Sequence, residues 1–502
     1  MWRRIVLVAL SFIALPVAAQ TNGHTDQLRQ LDAYFAKAAK DWDVPGLAIA
    51  IVYKGKLVFA KGYGVRDVST KQPVDTQTIF AIASTTKALT SAALGMLVDE
   101  GKVRWDDPVT KYLPSFQMSD PWTTREVTVR DLITHHAGLP NADYLWTGGD
   151  NSRDEVIRRI RFIQPTYSFR AGYIYHNVMY TVAGAVIEAA SGMTWDEFIR
   201  RRIFEPLGMT RSVTTLAEAV TKDNRAQPHG RDPDTLRVSG NSLADGIGPA
   251  GSVWSSVADM SKWVKFLLDT GKVNGRPLLT PQTWAELFKP VTILGPWTNN
   301  SAPQLRMSKP HFRTYALGWF QQDYMGRQVD FHTGSLTGMI AINGLIREEG
   351  IGVYILSNTS TEIRHPLMFK VFDTFLGAPA RDWSGEMLAM QRADDARDDS
   401  ANTRQQNQRV EGTKPSLPLE RYAGTFVDSL YGKVTITMDD GVLRYRLSST
   451  QAGALEHWQY DTFRVVWDDW WRGRSTITFG VGPNGSADRL EIGNFTLRRP
   501  RR

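Results

Sequence analysis

Apolar and polar residues follow two different rhythms along this chain. Up to about residue 378 the apolar runs are long. Gly46–Tyr53 and Lys56–Ala60 flank a Lys54-Gly55 turn, which predicts a β-hairpin. Ala88, Leu89, Ala92, Ala93, Met96 and Leu97 recur at helical spacing, with Gly101 as the stop. A second helix is expected over Val182, Ala183, Val186, Ile187 and Ala190, and a buried strand at Met339–Ile342. Beyond Pro415 the runs are short and strictly alternating: Val434–Met438, Leu443–Leu447, Phe463–Trp467 and Ser475–Phe479. Asp-Gly and Gly-Pro-Asn-Gly punctuate them, so residues 415–502 are expected to form a small all-β barrel. Between the two textures, residues 379–414 hold a run from Gln391 to Glu411 with almost nothing to anchor a core. That segment reads as a solvated helix or a charged linker.

The first residues form a third pattern. Arg3 and Arg4 precede a short apolar run, Ile5–Leu15, and Val17-Ala18-Ala19 offers small residues before Gln20. Residues 1–19 are expected to be a cleaved export signal, too short to span a bilayer, which sends the protein to the periplasm or outside the cell. The chain has 502 residues, 42% of them hydrophobic, and no cysteine. Disulfide scaffolds, thiolate-held metals and a cysteine nucleophile are therefore excluded. A net charge of +7 over this length is mild and points to no nucleic-acid partner.

Ser84 precedes the first long helix and Lys87 lies one turn on, on the same face. A serine hydroxyl needs a neighbouring base, and a lysine can be that base only where burial or a nearby cation lowers its pKa. Ser84 is the one serine followed three residues later by lysine. Tyr175-His176-Asn177 follows an Ala171-Gly172 turn, and His332-Thr333-Gly334-Ser335 precedes the buried strand. His135-His136 suggests a metal at first sight, but adjacent residues of a strand face opposite ways and no third ligand is suitably spaced. No metal or cofactor is expected. Trp467, Trp470 and Trp471 are read as barrel packing or as a stacking surface.

Ser84-x-x-Lys87, Tyr175-x-Asn177 and His332-Thr333-Gly334, in this order, resemble the class C β-lactamase family with its penicillin-binding proteins, DD-peptidases, D-aminopeptidases and esterases. Residues 26–378 carry that resemblance, and the tail is similar to the lipocalin-like domain of some of these hydrolases. The resemblance implies an α+β fold, an antiparallel sheet with helices and a helical lobe. It implies Ser84 as nucleophile, with Lys87 and Tyr175 moving protons. Asn177, His332, Thr333 and Gly334 would contact substrate, and the backbone N–H groups of Ser84 and Ser335 would bind the oxyanion. Whether Lys87 or Tyr175 is the base stays open. Lysine is usual where this chain has His332, so the peptidase and esterase branches fit better than the β-lactamases. The expectation is an exported hydrolase of D-residue peptides, amides or small esters, with peptidoglycan fragments among its possible partners. A working β-lactamase, a penicillin-binding protein that acylates and stalls, and a ligand-binding barrel on a hydrolase scaffold are the alternatives. The barrel could cap the cleft, position substrate or join copies of the chain into an oligomer.

Overall fold

A computed structural model describes residues 19–232, 235–295, 302–407, 409–473 and 475–500. The expected leader lies outside them but for Ala19. Eight antiparallel strands form the central sheet: β1 Gly46–Tyr53, β2 Lys56–Gly64, β3 Thr292–Ile293, β4 Arg313–Tyr315, β5 Phe320–Tyr324, β6 Arg327–Leu336, β7 Met339–Ile346 and β8 Ile351–Ser357. Their order is β2-β1-β8-β7-β6-β5-β4-β3, so the first hairpin sits beside the last strand, with Leu47 opposite Ser357. The β1–β2 turn uses Lys54 and Gly55, both at positive φ (47° and 76°), the backbone that matches strand twist.

The long apolar runs have a direct cause. β1, β7 and β8 are covered on both faces, so neither set of alternating side chains meets water. Leu47, Ile49 and Ile51 join Phe35, Phe369 and Trp383 in one core, beneath helices Ala19–Asp41 and Arg364–Leu376. Ala48, Ala50 and Val52 face the other core, with Trp263, Leu89 and the helical lobe. In that lobe helix Thr86–Asp99 is buried from Thr86 to Leu97 and packs near Val178–Ser191.

The segment read as a solvated helix or a charged linker is a helix, Trp383–Asn407, whose first turns belong to the core. Trp383 stacks on Phe369 at 4.7 Å between centroids and donates its indole N–H to Asp373 at 2.6 Å. Trp383 and Met387, one turn apart, are the anchors that a mostly polar window hides.

The last unit is a closed eight-stranded antiparallel barrel running from Gly424–Asp428 to Phe495–Arg498, whose end strands meet at Val427 and Arg498. Its interior is filled by Tyr422, Phe426, Phe463, Phe479 and Leu490, all buried. A barrel of this strand number is just wide enough for such side chains.

Candidate active site

The turn that carries Ser84 is built by three separate segments. Phe80–Ala81 pairs with Trp254–Ser255, and the Ile82 N–H continues that ladder to Val253 O at 2.9 Å. Ala83 then takes φ 49°, a left-handed conformation costing roughly 1–2 kcal/mol for a residue with a Cβ. That turn raises Ser84 at the start of a single 3₁₀ turn, Ala83–Thr85, which runs into the buried helix. Thr85 Oγ1 donates to Ile82 O at 2.7 Å and lies 2.6 Å from the Tyr354 hydroxyl of β8. On the other side β6 comes so close that a Cβ on Gly334 would stand 2.1 Å from Ile82 O. Gly334 therefore serves by having no side chain.

Lys87 is fully buried, with its Nζ 3.1 Å from Ser84 Oγ, 2.6 Å from Asn177 Oδ1 and 2.9 Å from Ala250 O. Burial pushes its pKa well below the usual lysine value, against the pull of Asp143. A lysine whose pKa is lowered beside a serine hydroxyl is placed to take its proton. Tyr175 hydrogen-bonds the Ser84 side chain, and its ring lies 4.8 Å from Lys87 Nζ. Burial pushes its phenol well above the ordinary value, so Tyr175 keeps its proton and is suited to donate it. The two directions favour Lys87 as the base, the point on which the sequence is silent.

Asn177 is held from both ends. Its Oδ1 accepts from Lys87 and its Nδ2 donates to Asp143 Oδ1 at 2.8 Å. Asp143 Oδ1 also accepts the Trp146 indole N–H at 2.8 Å. The only sequence trace of this support is a turn signal, Asn141-Ala-Asp143, in which Asp143 N–H donates to Asn141 Oδ1 at 3.0 Å.

Along β6 the side chains alternate. Thr333 and Ser335 line the cleft, while His332 and Gly334 do not. His332 is buried, with Nε2 3.0 Å from the Tyr315 hydroxyl and Nδ1 2.7 Å from Thr333 O. Burial and Lys87 bring its pKa down to about 3, so the ring is neutral. His332 thus backs Tyr175, with ring centroids 6.2 Å apart, where the resemblance implies a substrate contact. Ser335 is exposed, and its Oγ accepts from buried Arg364 at 2.8 Å. The same guanidinium also donates to Gly334 O and is paired with Glu362 at 2.9 Å. That clamp holds the end of β6 that brings Ser335 to the cleft.

His135 and His136 do part, though in a bend rather than a strand. His135, at φ 59°, packs its ring 4.3 Å from that of Tyr175, whereas His136 binds Asp131 at 2.6 Å. Among the described residues no group of three or more His, Cys, Asp or Glu could hold a metal ion.

The profile of a family described as Beta-lactamase matches residues 31–368. The chain belongs to this family. A second profile, a domain of unknown function (DUF3471), matches residues 408–499, the barrel. "Unguisins hydrolase ungD" of Aspergillus violaceofuscus (strain CBS 115571) is similar at 28% identity over 477 residues, covering 86% of this chain and 81% of that protein. "Protein flp" of Staphylococcus aureus (strain COL) is 25% identical over 342 residues, 67% of this chain and 64% of its own length. Among solved structures, the octameric penicillin-binding protein homologue from Pyrococcus abyssi superposes with TM-score 0.63 at 24% identity, covering 94% of this chain and 99% of that one. That likeness extends the shared fold across both units.

In this member of the Beta-lactamase family the cleft over Ser84 has a volume of about 1000 Å³ and is lined by both units. The barrel supplies Thr450, Trp471 and Arg472. It is fastened to the loop that carries Asp143. Ser449 N–H donates to Asp150 at 2.8 Å, Thr450 Oγ1 donates to Gly148 O at 2.9 Å, and Tyr144 meets Phe495 edge-on at 4.5 Å. Trp470 and Trp471 therefore lie between the two units, outside the barrel core.

Proposed function

We propose that the protein is an exported serine hydrolase that moves acyl groups from peptides or amides with D-residues, or from small esters, to water through Ser84. The observation that carries the reading is the Lys87 amine, stripped of solvent and 3.1 Å from Ser84 Oγ. Neutral Lys87 takes the hydroxyl proton as Oγ attacks the acyl carbon. The oxyanion that forms accepts from the N–H groups of Ser84 and Ser335, each such donor typically worth about 10²–10³ in rate. Collapse expels the amine or alcohol, which leaves with a proton supplied through Tyr175. Water then adds to the ester on Ser84, its proton passes to the Lys87–Tyr175 pair, and the acid and free Ser84 return. Export to the periplasm or beyond is part of the reading and rests on residues 1–19. The neutral, enclosed His332 supplies no cation on β6 for a β-lactam carboxylate, which favours peptides and esters over penicillins.

A fluorophosphonate and a fluorescent penicillin, each incubated with wild type and Ser84→Ala and read by intact mass, test this. Labelling of wild type alone by the fluorophosphonate is expected, with nitrocefin turnover no faster than buffer. Absence of label from both probes would overturn the reading. Rapid nitrocefin turnover would move the substrate class to β-lactams.

A further inference from the structure

Trp471 reaches the cleft from a different unit than Ser84, Lys87 and Tyr175. The same cleft is lined by Trp146 and Leu243 from the catalytic unit and by Thr147 and Thr450. Two glycines make room for these side chains. A Cβ on Gly240 would come within 2.1 Å of the Trp471 ring, and one on Gly149 within 2.3 Å of Leu243. The Trp470–Arg472 turn is pinned by its neighbour: Trp470 lies against Gly230, with the Arg237 guanidinium 5.2 Å from its ring. Arg472 is held by Asp469 at 3.1 Å, which fixes the end of this turn. Asp143, the carboxylate on this side of the cleft, already accepts from Asn177 and Trp146. A fixed indole, a second indole and a leucine in the cleft lining offer apolar surface for a ring or a branched chain.

We propose that Trp471 is a specificity-determining residue for the acyl group that Ser84 accepts, and that the group it takes is an aromatic or large apolar side chain. This deepens the reading of Ser84 as acyl acceptor and rests on it. The barrel is then a part of the substrate site in the same chain. A donor with a short acyl group leaves the wall unused, and a donor with an aryl side chain fills it.

The test uses two fluorophosphonates on the full-length protein, one with a small alkyl group and one with a phenylalkyl group. The rate of Ser84 labelling by each is followed by intact mass. Wild type is expected to prefer the phenylalkyl probe. Trp471→Ala should cut that preference by about tenfold or more, the scale on which a hydrophobic pocket discriminates. Trp471→Phe, which keeps a ring and guards against a fold defect, should fall between. Gly240→Ala, which intrudes on the indole, should also lower the ratio, whereas exposed Trp122→Ala should not. A merely structural role for Trp471 would slow both probes alike and leave the ratio unchanged, which overturns the proposal, as does a wild type without preference. If wild type is unlabelled by both probes, or Ser84→Ala is labelled equally, the acyl-acceptor reading itself has failed and the subsite falls with it.

Discussion

Lys87 stands under opposing influences: burial drives its proton off, and Asp143 draws it back. Burial is the larger, and only the neutral amine can receive the Ser84 proton. Acylation should therefore rise with pH through the Lys87 pKa, at a midpoint well below 10.5, and fall in acid. Labelling rates between pH 5 and 10 should show that single rise. Lys87→Met should lose it along with about 10²–10⁴ of the rate, the usual contribution of a positioned base. A Lys87→Met protein that labels at the wild-type rate would remove Lys87 from the role. The buried histidines govern stability instead. His176 and His332 have pKa values near 3 and His365 near 4, each lowered by burial from 6.5. Between 6.5 and those values the unfolded chain binds more protons than the folded one, so stability falls as pH falls. Each such histidine contributes a slope of about 1.4 kcal/mol per pH unit there. Neither ring nitrogen of His176 has a hydrogen-bond partner among the described residues. His176→Phe should therefore flatten the dependence of the urea midpoint by about one proton between pH 6 and 5. An unchanged slope would mean that His176 charges in the folded state.

The loop from Asn141 to Asn151 does structural work for the catalytic residues that its composition does not advertise. Asp143 lies 34 residues from Asn177 and fixes which way that amide points. Asp143→Ala should free the amide and slow single-turnover acylation by about 10²-fold, the cost of a misplacement of roughly 1 Å, with the fold intact by circular dichroism. A rate within twofold of wild type would show that Lys87 alone orients Asn177. What was legible in the sequence follows the same logic. Ser84 and Lys87 stand out because they lie one helical turn apart at a helix start, whereas Tyr175 and Asn177 are singled out only by the resemblance that the order of the three motifs carries. The barrel strands were visible because one face of each is wet. The placement of His332 is different: its type is plain in the sequence, but its direction depends on β6 register against β7, where His332 sits opposite Asn343. Asp143 and the Arg364 clamp depend on contacts between distant segments, which no spacing encodes. Trp383 was hidden because a helix that is core at one end and solvated at the other averages to a polar run.

At the scale of the whole molecule the two units share a seam as well as a cleft. Ser449 and Thr450 of the barrel bind Asp150 and Gly148 on the loop that carries Asp143. Ending the chain at Asn407 should therefore do more than remove a cleft wall. It should increase amide hydrogen exchange over residues 143–150 and slow labelling of Ser84 even by a small fluorophosphonate. Exchange unchanged in that loop would show that the catalytic unit holds it unaided. One last consequence concerns the order in which the chain is made. The Thr85 hydroxyl beside Ser84 leans on Tyr354, 269 residues further on, and β1 cannot pair with β8 until β8 exists. During translation Ser84 emerges early into a polypeptide that has no strand against which to set it. A ribosome must pass residue 354 of 502 before the reactive centre can close. A product released short of that point would carry the Ser-x-x-Lys letters and no chemistry, so the hydrolase is silent until its synthesis is mostly done.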